Sequence, residues 1–180
     1  MANSRPIVTF DLDGVLCRPP FGMNPGQLKR APEENPGRWN PAWLIERWRY
    51  YGRAPMPGAR EGFEAIATFA ECVVVTARSE RARGHTERWL QHNIGRLPRL
   101  YMRPHWRERP PQFKSRTLDG IGSKAHFEDD PNTAVRLAPA RPVFVVAWER
   151  NAGLEADNVW RVESVLDAVD DLRQRLGVPG

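Results

Sequence analysis

Two aspartates follow directly on a short apolar run near the start of the chain. Ile7-Val8-Thr9-Phe10 has the composition of a buried strand, and Asp11, Asp13 and Gly14 come next. Because the chain leaves the strand here, both carboxylates can point into one cleft, and Gly14 permits the turn. Asp11 is then a candidate nucleophile, and Asp13 is a candidate proton donor and acceptor. The alternative is an ordinary strand end followed by an Asp–Gly turn.

Two carboxylates that converge in one cleft repel each other unless a positive group joins them. Clustered carboxylate oxygens suit Mg²⁺, so the pair Asp11 and Asp13 predicts a magnesium site. A second acidic stretch, Glu128-Asp129-Asp130, ends a later strand immediately before a helix. Acids at the start of a helix favour its dipole, but three in a row exceed what capping needs.

Three further polar residues stand where a phosphate group could be bound. Thr76 ends the apolar run Val73-Val74-Val75, with a helix start beside it, and Arg78 could add a bidentate contact. Lys114 lies in the first turn of a predicted helix, where its charge opposes the helix dipole, so it could be reaching for carboxylates or phosphate. Taken singly, these residues also fit an ordinary strand–helix junction and a solvated lysine.

The elements that must position these residues alternate along the chain. The hydrophobic pattern predicts strands at 7–10, 72–76, 99–104, 143–148 and 159–162, with a further strand ending in the acids at 128–130. It predicts helices at 59–70, 80–93, 111–121 and 131–137 and a closing helix after Ser164. Alternation of this kind indicates an α/β fold with a mostly parallel sheet and helices on both faces. In such sheets ligands bind at the carboxyl ends of the strands, where Asp11, Thr76 and Asp129 stand.

Composition limits the classes of protein to which this sequence could belong. The 180 residues predict one domain, 1–180, and no apolar run approaches the roughly 20 residues of a membrane span. The N-terminus shows no signal-peptide pattern, and the cysteines Cys17 and Cys72 form no metal or redox motif, so we expect a cytoplasmic protein. The net charge of +5 favours phosphate-rich partners, although it also fits an arginine-rich surface without such a role.

Residues 17–56 differ from the rest of the chain in being rich in proline, tryptophan and arginine. They contain loop composition and one predicted helix starting at Asn40-Pro41. An insertion of this length directly after the first strand is unusual in a compact α/β chain, and we interpret it as a small cap over the cleft. Its aromatic residues and Arg47, Arg49 and Arg53 could stack on nucleobases, or they could simply be the packing face of a helix.

Four stretches together resemble the motifs of the haloacid dehalogenase (HAD) superfamily. They are Asp11-Leu12-Asp13-Gly14-Val15, Val73-Val74-Val75-Thr76, Lys114 and Glu128-Asp129-Asp130-Pro131. The resemblance implies a three-layer Rossmann-like HAD fold and a Mg²⁺-dependent phosphatase or phosphotransferase. In that family Asp11 would form an aspartyl-phosphate, Asp13 would protonate the leaving group and then activate water, and Thr76 and Lys114 would hold the phosphoryl oxygens.

The resemblance also implies a ligand set for the metal. Asp11, Asp13, Asp129 and Asp130 would bind Mg²⁺, with Glu128 as the alternative companion of Asp129. Lys124 is a second candidate for the motif lysine, but the start of a strand is a poor place from which to reach the cleft.

The stretches Thr76-Ala77-Arg78-Ser79-Glu80 and Leu100-Tyr101-Met102-Arg103-Pro104 are similar to the phosphatase domain of polynucleotide kinase–phosphatases. Arg78 and Arg103 would then bind substrate, a phosphorylated small molecule or a nucleic-acid end, and no kinase P-loop is present. A HAD scaffold that binds nucleic acid or phosphate without turnover, and transfer to an acceptor other than water, remain the alternatives.

Overall fold

The structure is a computed structural model that describes residues 5–19, 52–104 and 108–179. Its sheet has six strands in the order β3-β2-β1-β4-β5-β6, and every neighbouring pair is parallel. The strands are β1 Ile7–Phe10, β2 Glu71–Ser79, β3 Arg99–Arg103, β4 Ala125–Glu128, β5 Val143–Val146 and β6 Val159–Val162. The α-helices are α1 Ala59–Ile66, α2 Arg83–Asn93, α3 Pro110–Gly120, α4 Pro131–Leu137 and α5 Val169–Arg175. The predicted α/β class with a parallel sheet is confirmed.

Both faces of the sheet are covered, because the side chains of each central strand alternate between two cores. Val74 and Phe144 belong to a core shared with α1, α2 and α5, whereas Val73, Val75 and Val145 face a second core with α3 and α4. A strand buried on both sides needs continuous apolar sequence, which is why the runs at 73–75 and 143–146 are uninterrupted. The result is the predicted three-layer arrangement.

A row of stacked aromatic rings fixes the register of the central strands. Phe10 pairs with Phe127 and Phe127 with Phe144 across adjacent strands, with ring centroids 4.9 and 5.1 Å apart. A shift of one residue would turn every side chain of a strand to the opposite face, so this row strongly specifies the alignment. Since Asp11 follows Phe10 and Glu128 follows Phe127, the two carboxylates emerge level with each other at the carboxyl edge.

Several predicted boundaries differ from the observed ones. Strands β3 and β5 end at Arg103 and Val146 rather than at residues 104 and 148, and the closing helix begins at Val169 after a short 3-10 turn. The first helix ends at Ile66 rather than at residue 70, and the Thr68 hydroxyl donates to the Ala65 carbonyl beyond that end. Strand β2 continues past Thr76 to Ser79 through an irregularity in its pairing with β3, so Thr76 is not a strand end. The helical segment after it begins at Glu80, capped by Ser79 as predicted, with a short 3-10 turn before α2.

The two ends of the proposed insertion lie side by side. The Arg18 amide donates to the Ala54 carbonyl at 2.9 Å, and the Met56 amide donates to the Leu16 carbonyl at 2.8 Å. Residues 16–18 and 54–56 therefore form an antiparallel stem beside the carboxyl end of β1. Residues 20–51, with the helix predicted at Asn40-Pro41, lie outside the described residues, so the cap remains a prediction. Among the residues described, no helix has the length and apolar content that crossing a bilayer requires.

Candidate active site

Lys114 contacts two carboxylates, one from the end of β1 and one from β4, at the carboxyl edge of the sheet. Its ammonium lies 3.1 Å from Asp11 Oδ2 and 2.7 Å from Glu128 Oε2, and all three side chains are nearly or fully buried. Helix α3 brings the lysine over β1 and β4 because Phe113 and Leu118 of the same helix are buried in the core below. Lys114 therefore reaches carboxylates, as one of the two interpretations of its position proposed, and is not solvated. Lys124, in contrast, is exposed before β4, far from the carboxyl edge.

Glu128 has a full set of hydrogen-bond donors. Its Oε2 accepts from Lys114 and, at 3.3 Å, from His126 Nε2, while its Oε1 accepts from the amides of Asp129 at 3.0 Å and Asp130 at 3.2 Å. A carboxylate offers roughly four lone-pair sites, so these four donors occupy them. Glu128 is thus built to orient Lys114 and the acidic loop.

A buried polar chain continues behind Glu128 into β1. His126 Nδ1 lies 2.9 Å from the Thr9 hydroxyl, and Thr9 lies 2.8 Å from the hydroxyl of Ser123. Since the ionised Glu128 can only accept, His126 donates through Nε2 and accepts from Thr9 at Nδ1, which fixes its tautomer. Burial lowers the pKa of His126, so the ring is neutral. These hydrogen bonds, from Ser123 through Thr9 and His126, keep the Glu128 carboxylate in one orientation.

Asp129 and Arg150 form a second buried ion pair beside the first. Arg150 Nη2 contacts Asp129 Oδ2, and both side chains are 6% exposed. One oxygen each of Asp11, Glu128 and Asp129 lie within 4.8 Å of one another. Neither Asp13 nor Asp130 belongs to this group of carboxylates.

Asp130, predicted as a metal ligand, caps helix α4. Its Oδ2 accepts from the amide of Thr133 at 3.2 Å and from the Thr133 hydroxyl at 2.6 Å. The residue at an N-cap turns its side chain towards the free amides of the first helical turn, away from the strand edge. The carboxylate that accompanies Asp129 in the group is Glu128.

Asp13 is held by two arginines. Arg78 contacts both of its oxygens, through Nε to Oδ2 at 2.7 Å and Nη2 to Oδ1 at 2.6 Å, and Arg53 Nη1 also contacts Oδ1. Burial on its own would raise the pKa of Asp13, but the two guanidinium groups outweigh it and lower that pKa. The positive φ of Gly14, 89°, confirms the turn expected after Asp13. Arg78, predicted to bind substrate, thus contacts Asp13, and Arg53 of the proposed stacking set does the same from the position next to the stem.

The remaining predicted site residues lie on β2 and β3. Thr76 is buried on β2 beside β1, and its hydroxyl accepts from the Arg78 amide at 3.3 Å. Arg103 ends the edge strand β3, where its Nη1 donates to the Glu108 carbonyl at 3.1 Å. The basic loop at 105–107 lies outside the described residues.

The charges of the site fit a divalent cation. Burial raises the pKa of Asp11 to about 7 although Lys114 is beside it, and burial also raises the pKa of Asp129 well above its ordinary value. Glu128 behaves differently because Lys114 and His126 outweigh its burial and lower its pKa. Three carboxylates lie close together here, and burial disfavours the charged form of two of them. A divalent cation bound between Asp11 and Asp129 would stabilise those charges in addition to Lys114 and Arg150.

Sequence reasoning did not identify Arg150 or its loop. The Trp148 indole donates to the Gly14 carbonyl at 2.9 Å, and the side-chain Nδ2 of Asn151 donates to the Asp129 carbonyl at 3.1 Å. The loop after β5 is therefore fastened to both acidic loops. The one signal in the sequence was its place after a buried strand at the same edge of the sheet.

The fold can be compared with those of known proteins. No family model and no curated protein matches the sequence. Among solved structures, a candidate phosphoglycolate phosphatase from Lactobacillus plantarum matches with a TM-score of 0.65 and 14% identity, over 93% of this chain and 99% of the other. A defluorinating L-2-haloacid dehalogenase matches with a TM-score of 0.62 and 11% identity, over 94% and 95% of the two chains.

A chain of the Pnkp1/Rnl/Hen1 complex also matches, with a TM-score of 0.53 and 18% identity, over 81% of this chain but only 47% of that one. At such identities the likeness shows the fold and leaves the reaction open. The predicted resemblance is confirmed at that level: the chain has the fold of the haloacid dehalogenase superfamily.

Proposed function

We propose that this protein is a Mg²⁺-dependent phosphatase that hydrolyses a phosphate monoester through an aspartyl-phosphate on Asp11. The observation that carries the proposal is the contact of Lys114 with Asp11 and Glu128, next to the buried Asp129. Phosphoryl transfer needs little more than a positioned nucleophile and positive charge around the transferring oxygens. Both are supported by this arrangement.

Two proteins with this fold, a dehalogenase and a candidate phosphatase, represent different reactions. Displacement of a halide by a carboxylate needs no proton donor for the leaving group and no cation to offset a phosphate's charge. Here a second aspartate, Asp13, stands two residues from the nucleophile, and one oxygen each of Asp11, Glu128 and Asp129 lie within 4.8 Å of one another. These features favour phosphoryl transfer.

Asp11 and Asp129 are the residues that would hold Mg²⁺, because Lys114, His126 and two amides already occupy the oxygens of Glu128. When bound, the cation would offset repulsion between the Asp11 carboxylate and the anionic substrate. Lys114, whose pKa is raised by the acids around it in spite of burial, stays charged and would bind a phosphoryl oxygen. The Thr76 hydroxyl, buried on the neighbouring strand, would donate to another.

The reaction has two steps. An oxygen of Asp11 attacks phosphorus, the ester P–O bond breaks, and the leaving oxygen takes a proton from Asp13. Water then attacks the phosphorus of the aspartyl-phosphate, giving its proton to Asp13, and inorganic phosphate leaves while the Asp11 carboxylate is restored. Since Arg53 and Arg78 keep Asp13 ionised, one of these contacts must loosen before Asp13 carries the proton of the first step.

The substrate class we propose is a nucleotide or a nucleic-acid 3′-phosphate end. The support is the net charge of +5, the sequence likeness around Arg78 and Arg103, and the fold shared with a chain of the Pnkp1/Rnl/Hen1 complex. The insertion after β1, interpreted as a modest cap, is consistent with a large substrate.

The test is hydrolysis of p-nitrophenyl phosphate with Mg²⁺ and with a chelator. We expect Mg²⁺-dependent turnover that Asp11→Asn abolishes, while Asp171→Asn, at a half-exposed aspartate paired with Arg175, leaves it unchanged. Release of halide from a 2-haloacid, with no phosphatase activity, would overturn the proposal. Binding of phosphate without turnover would favour the non-catalytic alternative, and phosphate appearing on an added alcohol would favour phosphotransfer.

A panel of substrates tests the finer claim. We expect nucleotides or 3′-phosphorylated oligonucleotides to be cleaved with a higher kcat/KM than sugar phosphates. Ready cleavage of sugar phosphates, with nucleotides and DNA ends ignored, would reject the nucleic-acid assignment and leave the phosphatase assignment standing.

A further inference from the structure

The loop after β5 is rigidly attached to the site although it carries none of the predicted motifs. Asn151 of its short 3-10 helix, Glu149–Asn151, donates to the carbonyls of Asp129 and Val146, and its side-chain oxygen accepts from the Trp148 amide at 3.0 Å. Trp148 fastens the same loop to Gly14. The residue between Trp148 and Asn151 therefore has its backbone position set by contacts with both acidic loops.

Arg150 is that residue, and its hydrogen bonds are incomplete. Its side chain is only 6% exposed, and Nη2 contacts Asp129. Its Nε and Nη1 are buried and find no acceptor among the residues that the structure describes. A guanidinium has five N–H donors, and three of them are on these two nitrogens. Buried donors without acceptors are unfavourable, so the environment is suited to a further anion.

We propose that Arg150 exchanges partners: it neutralises Asp129 in the cation-free protein, gives that carboxylate up to the divalent cation, and then binds the phosphoryl group. The second part of this inference, binding of the phosphoryl group by Arg150, rests on the proposed function. Arg150 is a metal-competing and substrate-binding residue, distinct from Lys114, which contacts Asp11 and Glu128 rather than Asp129.

The physical reason for the exchange is competition for one buried carboxylate. A divalent cation at Asp129 removes most of the attraction that holds Arg150 there and adds repulsion between two positive groups. A guanidinium freed in this way presents a planar fork of donors that matches phosphate oxygens. Binding of cation and binding of phosphate are then coupled, because each favours the same position of Arg150.

The experiment measures Mg²⁺ affinity by calorimetry without substrate in the wild type, Arg150→Met and Arg150→Lys. It is done at about pH 8.5, where protons compete less than at neutral pH for the carboxylates whose pKa is raised. We expect Arg150→Met to bind Mg²⁺ about tenfold more tightly than the wild type, and Arg150→Lys, which keeps the charge, to stay close to it.

The second arm measures inorganic phosphate affinity at saturating Mg²⁺. We expect Arg150→Met to bind phosphate about tenfold more weakly, with Arg150→Lys in between. The opposite signs in the two arms are the signature of the exchange. Arg141→Gln is the matched control because Arg141 is equally buried and pairs with an aspartate, Asp119, near the amino end of β4. Both of its affinities should equal those of the wild type.

Weaker or unchanged Mg²⁺ binding in Arg150→Met would overturn the competition, since a residue that merely orients Asp129 gives that result. Unchanged phosphate binding in Arg150→Met would overturn the proposal that Arg150 binds the phosphoryl group. If Arg150→Met does not fold, Arg150→Lys tests the proposal instead. This variant keeps the positive charge, so a loss of Mg²⁺ affinity in it would contradict competition between residue 150 and Mg²⁺ for Asp129. Since the Mg²⁺ arm needs no turnover, its result is independent of whether the wild type hydrolyses p-nitrophenyl phosphate.

Discussion

Arg78 holds Asp13 by both carboxylate oxygens, with Nε at 2.7 Å from Oδ2 and Nη2 at 2.6 Å from Oδ1. The arginine is itself fixed, since its side chain is 1% exposed and its Nη1 lies 3.4 Å from the Thr86 hydroxyl. A bidentate pair of this kind sets the plane of the carboxylate as well as its distance. Arg78 therefore positions the residue that we propose as proton donor.

Replacement of Arg78 by lysine should separate orientation from charge. A lysine keeps one positive charge near Asp13 but cannot contact both oxygens in a fixed plane. We expect Arg78→Lys to lower kcat by about ten- to a hundredfold with little change in KM. Arg83→Lys is the control, because Arg83 makes the same two-point contact with Glu80 on the surface, and its kinetics should match the wild type. A rise in KM alone would instead indicate that Arg78 binds substrate.

The choice among the three consecutive acids can be decided by Mg²⁺ binding. Asparagine also caps helices well, so Asp130→Asn should keep α4 intact and leave the dissociation constant for Mg²⁺ unchanged. Asp129→Asn removes a charged ligand and should weaken Mg²⁺ binding at least about tenfold. Calorimetric titration of both variants checks this. A large loss of affinity in Asp130→Asn would restore it as a metal ligand.

Stabilisation by Mg²⁺ should depend on pH. The pKa of Asp11 is raised by burial to about 7, so without a cation the folded protein favours protonated Asp11. This contribution to stability is fully present below the unfolded value near 3.8 and is lost as the pH rises through about 7. Mg²⁺ would pair with the ionised Asp11 carboxylate and so offset the stability that is lost at higher pH. We expect the increase in Tm caused by Mg²⁺ to be clearly larger at about pH 8.5 than at about pH 5.

Equal increases in Tm at the two pH values would mean that the bound cation does not contact Asp11. Ca²⁺ and Na⁺ at matched ionic strength separate specific binding from general screening.

Gly62 in α1 should not tolerate a side chain. A Cβ at this position would lie 2.5 Å from the Leu166 amide nitrogen and 2.7 Å from the Val165 carbonyl carbon, which are backbone atoms that cannot turn aside. We expect Gly62→Ala to lower the free energy of unfolding by about 1–3 kcal/mol or more, measured by urea denaturation. Gly120→Ala, where an added Cβ would meet no side chain and no other part of the described chain within 4 Å beyond its own helix, should raise the free energy of unfolding by up to about 1 kcal/mol. Similar effects at both glycines would show that α1 can move away from the segment at 165–166.

Much of the fold could be predicted from the sequence because the strands are buried on both faces. Such strands must be short, uninterrupted and apolar, and the runs around Val74 and Phe144 show this directly. Asp11 could be predicted for the same reason, since the change from apolar to acidic marks where β1 ends. Lys114 was identified from its predicted place in the first turn of a helix and from the motif order, although the helix begins at Pro110 and the lysine is its fifth residue.

The roles of the three adjacent acids depended on the tertiary structure. Their order in the sequence is the same whichever of them faces the site, and only the positions of β4 and α4 distinguish them. Glu128, the last residue of the strand, lies under Lys114 and His126, whereas Asp130 turns to Thr133 at the helix start. The three carboxylates point differently because the strand ends at Glu128 and the helix is capped at Asp130, and a run of three acids does not mark where one element stops and the next begins.

The sequence by itself determined the parallel sheet, the edge at which the site lies and the nucleophile candidate, because burial imposes a local pattern on each strand. Only the tertiary structure decided which arginines meet which carboxylates. Arg53, Arg78 and Arg150 come from the end of the insertion, β2 and the loop after β5, and the partner of a long side chain depends on which loops converge. That convergence is a property of the packed sheet and is not encoded in the residues next to each arginine.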